Sequence, residues 1–162
     1  MKQMISAGLE ELGLTGCVPK DAPAQLAQYG RMLLEKNQVM NLTAIREPEG
    51  VTRLHFLDCA TLLKYCDFQG KTLIDVGTGA GFPGMVLKIL VPSLKVTLLD
   101  SLSKRLDWLT EVYEDLDGVD SITTFHGRAE EFGLNKSFRD SFDFATARAV
   151  ADLRVLCELC LP

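Results

Sequence analysis

Asp75, Gly77, Gly79, Gly81 and Gly84 stand in one short stretch, spaced Asp-x-Gly-x-Gly-x-Gly-x-x-Gly. Glycine at every second position lets the backbone turn tightly and approach a ligand closely. Such loops often cradle a phosphate at a helix start. A carboxylate directly before the loop repels a phosphate and attracts a cation. S-adenosylmethionine, with an ammonium and a sulfonium beside its adenosine, is such a cation. The charge of Asp75 therefore points to methyl transfer. The spacing Gly79-x-Gly81-x-x-Gly84 by itself also fits a dinucleotide fingerprint, so an NAD-dependent oxidoreductase is the alternative. Asp100 follows roughly twenty residues on, where an acid can accept hydrogen bonds from ribose hydroxyls.

These residues need elements to hold them. Leu73, Ile74 and Val76 form a short apolar run that reads as a buried strand over 72–76. A helix over 84–90 ends before Pro92, and a second strand over 95–99 ends in Asp100. Leu106, Leu109, Val112, Tyr113 and Leu116 have the spacing of a helix over 104–116. Third and fourth strands are predicted over 121–125 and 142–146, with a helical turn over 128–132 between them. A last helix covers 149–161. The first part of the chain has helical patterns over 3–14, 23–36 and 51–65, with a polar, irregular stretch over 37–45. Strands alternating with helices predict a parallel sheet with right-handed crossovers. Ligands bind such sheets outside the carboxyl ends of the strands. Asp75, Asp100, residues 126–131 and Arg148 should converge there, with His126 in a structural role.

The chain has 162 residues, 47% of them apolar and 24% charged, which fits a globular domain with a real core. Its net charge of −5 gives no global basic field, so nucleic acid would need a local patch. Lys104 and Arg105, with Arg31, Lys36, Arg46 and Arg53, are the candidates. Five irregularly spaced cysteines do not suggest a disulfide framework. The pair Cys157-x-x-Cys160 lies in an apolar helical run and is expected on a buried helix face, not at a metal. No signal-peptide or membrane-spanning pattern is present, and a cytoplasmic protein is expected.

Asn41-Leu42-Thr43, His55-Phe56-Leu57-Asp58, Asp75–Gly84, Leu98-Leu99-Asp100-Ser101 with Lys104-Arg105, Gly127-Arg128-Ala129-Glu130-Glu131 and Arg148-Ala149 occur in this order. In this set the sequence resembles the bacterial small-subunit ribosomal RNA guanine-N7 methyltransferase family, also called glucose-inhibited division protein B. The resemblance implies a class I S-adenosylmethionine-dependent methyltransferase fold, a Rossmann-like α/β domain with a parallel sheet. Residues 1–70 would form an N-terminal helical segment and 71–162 the cofactor-binding domain. It also implies methyl transfer from S-adenosylmethionine to N7 of one guanine in 16S ribosomal RNA. The expected partner is that RNA or a ribosomal particle, with no membrane and no metal.

Carried over by position, Gly77, Phe82, Ala129, Glu130 and Arg148 match family residues that contact the cofactor. Asp75, Gly79 and Asp100 join them from the loop, charge and ribose readings. Arg128 and Arg148 are the candidates beside the reacting guanine. Asn41, His55, Lys104 and Arg105 are the candidates for contact with RNA. Guanine N7 has a lone pair and no proton, so positioning without a general base is expected; alignment can supply roughly 7–11 kcal/mol. Lys36 and Cys59 depart from the family's usual tryptophan and serine. Only the first four strands of the family's sheet can be placed, which predicts a truncated form with strand 142–146 as an exposed edge. A catalytically silent RNA-binding fragment is the corresponding alternative.

Overall fold

Four parallel strands in the order β3-β2-β1-β4 form the centre of the computed structural model, which describes residues 1–161. β1 is Thr72–Val76, β2 Lys95–Asp100, β3 Ile122–His126 and β4 Phe144–Thr146. β1 pairs with β2 from Thr72↔Lys95 to Val76↔Leu99, and with β4 from Leu73↔Phe144 to Asp75↔Thr146. β2 pairs with β3 from Val96↔Ile122 to Asp100↔His126. The chain moves outward from β1 through β2 to β3, then returns to β4 on the other side of β1. The sheet thus switches direction at β1, and a crevice opens at the carboxyl ends there.

The strand repeat of two sends alternate side chains to opposite faces. Leu73 and Leu98 join the large core, while Ile74, Val76 and Leu99 face the other way. The large core is covered by α1 (Lys2–Glu11), α2 (Ala22–Met40), a helical stretch over 48–64, α5 (Gly84–Leu90) and α6 (Ser103–Asp115). Ile5, Leu26, Tyr29 and Phe56 of the leading helices pack in the same cluster as Met85, Leu98, Leu109 and Val112. Beneath the turn from α5 to β2 lies Lys88, 1% exposed, whose Nζ donates to the carbonyls of Pro92 and Leu94. The Asp120 carboxylate is 3.7 Å from the same amine.

The stretch over 48–64 has mixed geometry: α3 (Pro48–Val51), a π-helical turn (Thr52–Leu57), α4 (Asp58–Ala60) and a 3₁₀ turn (Thr61–Lys64). It starts before and ends before the predicted bounds of 51 and 65. α2 continues to Met40, past the predicted end at residue 36. Asn37 is 3% exposed and bonds inward, so its polarity does not mark an exit from the helix. The helix stops instead at Asn41, whose backbone is left-handed (φ 50°, ψ 53°), a conformation asparagine tolerates.

β4 is shorter than expected, because Asp143 accepts from the N–H and hydroxyl of Thr72 at 2.9 and 3.0 Å instead of extending the strand. α7 is Ala129–Leu134 and α8 is Leu153–Cys160. α8 begins four residues later than predicted, since the Asp152 carboxylate accepts from the N–H groups of Arg154 and Val155 and caps it there. No residue of α8 is buried, and Cys157 is exposed while Cys160 is half-buried. The expected buried face for the cysteine pair is therefore corrected: α8 rests lightly on the smaller cluster. Among the described residues, no helix is long and apolar enough to cross a membrane.

Candidate active site

Period-two alternation turns Asp75 toward the large core, and this decides its role. Its carboxylate is fully buried. One oxygen accepts from the Thr78 hydroxyl at 2.6 Å and the Gly84 N–H at 3.1 Å; the other accepts from Thr146 at 3.0 Å. Burial pushes its pKa above the ordinary carboxylate value, opposed by those donors. Asp75 therefore lies beneath the glycine loop and ties it to α5 and β4, rather than facing a cationic ligand. Gly84 permits this, because a Cβ there would lie 2.9 Å from Asp75 Cβ, Asp75 Oδ2 and Leu98 Cδ2. Tyr29 of α2 supports the loop from the other side, its buried hydroxyl donating to the Ala80 carbonyl. Gly81 (φ +91°) leaves room for that hydroxyl.

Above the loop a hollow of about 320 Å³ is lined by Gly77, Asp100, Arg128, Ala129, Glu130 and Val150, among others. Asp100 stands at the end of β2. Its oxygens accept from the N–H of Gly79 at 2.8 Å and of Leu102 at 2.9 Å, and Arg105 lies 3.6 Å away. Each oxygen retains acceptor capacity for a ligand. Glu130 is held ionised by its own backbone N–H and by Arg128, 3.6 Å distant. His126 bonds the Ser101 carbonyl at 3.0 Å.

Arg148, just beyond β4, lines a different hollow with Asp58, Cys59, Pro83 and Thr146. Its Nη2 donates to His55 Nδ1 at 2.7 Å. Its Nη1 lies 3.3 Å from both the Leu54 carbonyl and the Asp58 carboxylate. The guanidinium is 5.0 Å from the Phe82 ring centre, and His55 stacks on that same ring at 4.4 Å. Phe82 is only 5% exposed, enclosed also by Tyr29 and Phe56, so its ring does not flank the crevice as expected. Cys59 is pushed up to about 12 by burial and is no thiolate.

The residues expected at RNA divide likewise. Lys104 and Asn41 are exposed. Arg105 turns back to Asp100, and His55 is 9% exposed and bonded within the protein, so both are drawn away from solvent. Lys36 pairs with Glu111 and Arg53 with Glu49, which thins the expected basic patch. The two candidate arginines, 128 and 148, line separate hollows. Thr78, Thr146 and Tyr29, which hold the loop, were not singled out by sequence. Their only signal is a hydroxyl beside or beneath a buried carboxylate or carbonyl.

A parallel sheet that switches direction at β1, with a glycine loop there and an acid at the end of β2, is the class I methyltransferase fold, a Rossmann-like domain. The profile of the rRNA small subunit methyltransferase G family matches residues 22–162. The chain belongs to that family. Proteins named ribosomal RNA small subunit methyltransferase G from Alkaliphilus metalliredigens and Bacillus pumilus are each 48% identical to it, over 99% of this chain and 66% of their own lengths. The one from Exiguobacterium sibiricum is also 48% identical, over 99% of this chain and 67% of its own. The chain thus spans about two thirds of the length of these relatives. Among solved structures, the YcgJ protein from Bacillus subtilis aligns with 58% of this chain and 38% of its own at TM-score 0.47 and 22% identity.

Proposed function

We propose that this chain binds S-adenosylmethionine in the hollow above the glycine loop and forms part of an enzyme that methylates N7 of a guanine in small-subunit ribosomal RNA. The observation that carries the reading is Asp100: a carboxylate braced by the Gly79 and Leu102 N–H groups at the rim of the hollow shared with Gly77, Ala129 and Glu130. The donor set suits the ligand. Asp100 accepts from the ribose hydroxyls, Ala129 and Val76 give apolar surface to the adenine, and Glu130 meets its polar edge. Arg148 lines a separate hollow with Asp58, Pro83 and Thr146; its position in the family's motif assigns it to the carboxylate end of the methionine moiety, which would have to reach from the first hollow to the second. Arg128 orients the guanine by hydrogen bonding.

The chemistry supplied by the bound cofactor is an electrophilic methyl carbon on a sulfonium. This chain's residues contribute alignment rather than proton transfer. Guanine N7 has no proton to remove, and both histidines are engaged within the protein, His55 through both ring nitrogens and His126 at Ser101. RNA, or a ribosomal particle, is the partner of this reading, and the cytoplasm its place.

Calorimetric titration of S-adenosylmethionine into the chain, with NAD in parallel, tests the assignment. Saturable binding of the first alone, weakened at least tenfold by Asp100→Asn, is expected. Binding of NAD alone overturns the reading in favour of a dinucleotide enzyme. Transfer of labelled methyl groups to small-subunit RNA then tests the substrate.

A further inference from the structure

A line of hydrogen bonds runs from the last turn of α2 to the guanidinium of Arg148, and the site described above uses only its last member. Asn37, buried in α2, clamps the backbone of Thr43 on both sides. Its Oδ1 accepts from the Thr43 N–H at 2.9 Å, and its Nδ2 donates to the Thr43 carbonyl at 2.8 Å. The Thr43 Oγ1 so fixed accepts from the Ile45 N–H at 3.1 Å and lies 2.9 Å from His55 Nε2.

Arginine can only donate, so the 2.7 Å contact between its Nη2 and His55 Nδ1 requires Nδ1 to be unprotonated. The ring proton is then on Nε2 and donates to Thr43. The π-helical turn helps, for it carries both His55 and the Leu54 carbonyl that meets Nη1. Phe82 forms a floor under the imidazole and the guanidinium together.

We propose that His55 is a positioning residue for Arg148: with Asn37 and Thr43 it forms a relay that fixes the guanidinium in one orientation beside the glycine loop. This rests on the reading of Arg148 as a group that binds the cofactor. It also gives the leading helices a task at the site itself, separate from any contact with RNA. The groups facing the imidazole are the Arg148 guanidinium, the Asp58 carboxylate and the Thr43 hydroxyl, with the Cys59 thiol next to the arginine.

A double-mutant cycle on S-adenosylmethionine affinity, measured on the full chain, tests the relay. His55→Phe keeps a ring on Phe82 and removes the acceptor; it should weaken binding about tenfold. The same change in an Arg148→Ala background should cost nothing further. Equal losses in both backgrounds would show a merely structural role and overturn the proposal, as would unchanged affinity in His55→Phe. His55→Asn, which retains an acceptor, should recover part of the loss and serves where the phenylalanine variant fails to fold. Nitrogen-15 spectra of the imidazole provide a second readout that needs no ligand. A neutral ring protonated at Nε2, with an Nδ1 resonance that moves in Arg148→Ala, is expected. A ring protonated at Nδ1 excludes the relay. Should the wild-type chain bind no S-adenosylmethionine, the functional reading fails while the spectra still decide the relay.

Discussion

The buried carboxylate of Asp75 and the hydroxyl of Tyr29 hold the glycine loop from beneath without lining the hollow that a ligand would enter. Asp75→Ala leaves the Thr78 and Thr146 hydroxyls and the Gly84 N–H without their acceptor. A loss of more than about 2 kcal/mol is expected, with weaker S-adenosylmethionine binding following from a loosened loop. A direct ligand contact would instead lower affinity with stability intact; urea unfolding and calorimetry on one variant separate the two. Tyr29→Phe should cost about 1–3 kcal/mol in urea unfolding, since the Ala80 carbonyl loses a buried donor.

His55 adds a pH dependence of defined sign. Burial, and then the charge of Arg148, lower it to about 4, against about 6.5 in an unfolded chain. As pH falls, the unfolded chain takes up this proton first. The stability contributed by neutral His55 is complete above pH 6.5 and is lost between 6.5 and about 4. Urea midpoints measured across this window should fall with pH in the wild type, and less steeply in His55→Asn.

At the scale of elements, β1 and β2 are legible as short apolar runs, buried on both faces, and α6 because its apolar residues recur at the helical period. Strand ends could therefore be located, and Asp100 and Arg148 with them. Contacts between elements were not legible. Asn37 is as polar as a loop residue, and only the fold reveals that its amide bonds Thr43 inside. The π-helical turn has no periodic signature in so short a stretch. Asp75 differs from expectation for a related reason: its charge points to a ligand, while strand alternation in the same residues puts it on the face of Leu73, where it is buried and bonded to Thr78, Gly84 and Thr146. The seat of α5 is equally specific. Gly84→Ala should lower stability by about 1–3 kcal/mol through overpacking against Asp75 and Leu98, measured by thermal unfolding.

For the molecule as a whole, the two faces of the sheet are unequally covered. The helices of the large core enclose one face; α7 and α8 lie over the other, where, among the described residues, the buried apolar cluster is small: Ile74, Val76 and Leu99. Among the described residues, β1 has a neighbouring strand on each side, whereas β4 pairs with β1 alone. Amide hydrogen exchange should therefore be slowest in β1 and β2 and much faster in β4 and α8. Leu161, 77% exposed, shares a hollow with Phe144 and Ala145 of β4 and puts apolar surface beside that strand, so concentration-dependent self-association is expected by light scattering.

The amine of Lys88 offers a built-in gauge of the native state. A primary amine so enclosed is closed to acylating reagents and to trypsin while the turn from α5 to β2 is intact, whereas exposed lysines such as Lys104 react freely. Mass spectrometry of a chain briefly treated with an acetylating reagent would thus register opening of the central layer as modification at this one position. The same readout can show whether a variant or a ligand has tightened the centre of the molecule.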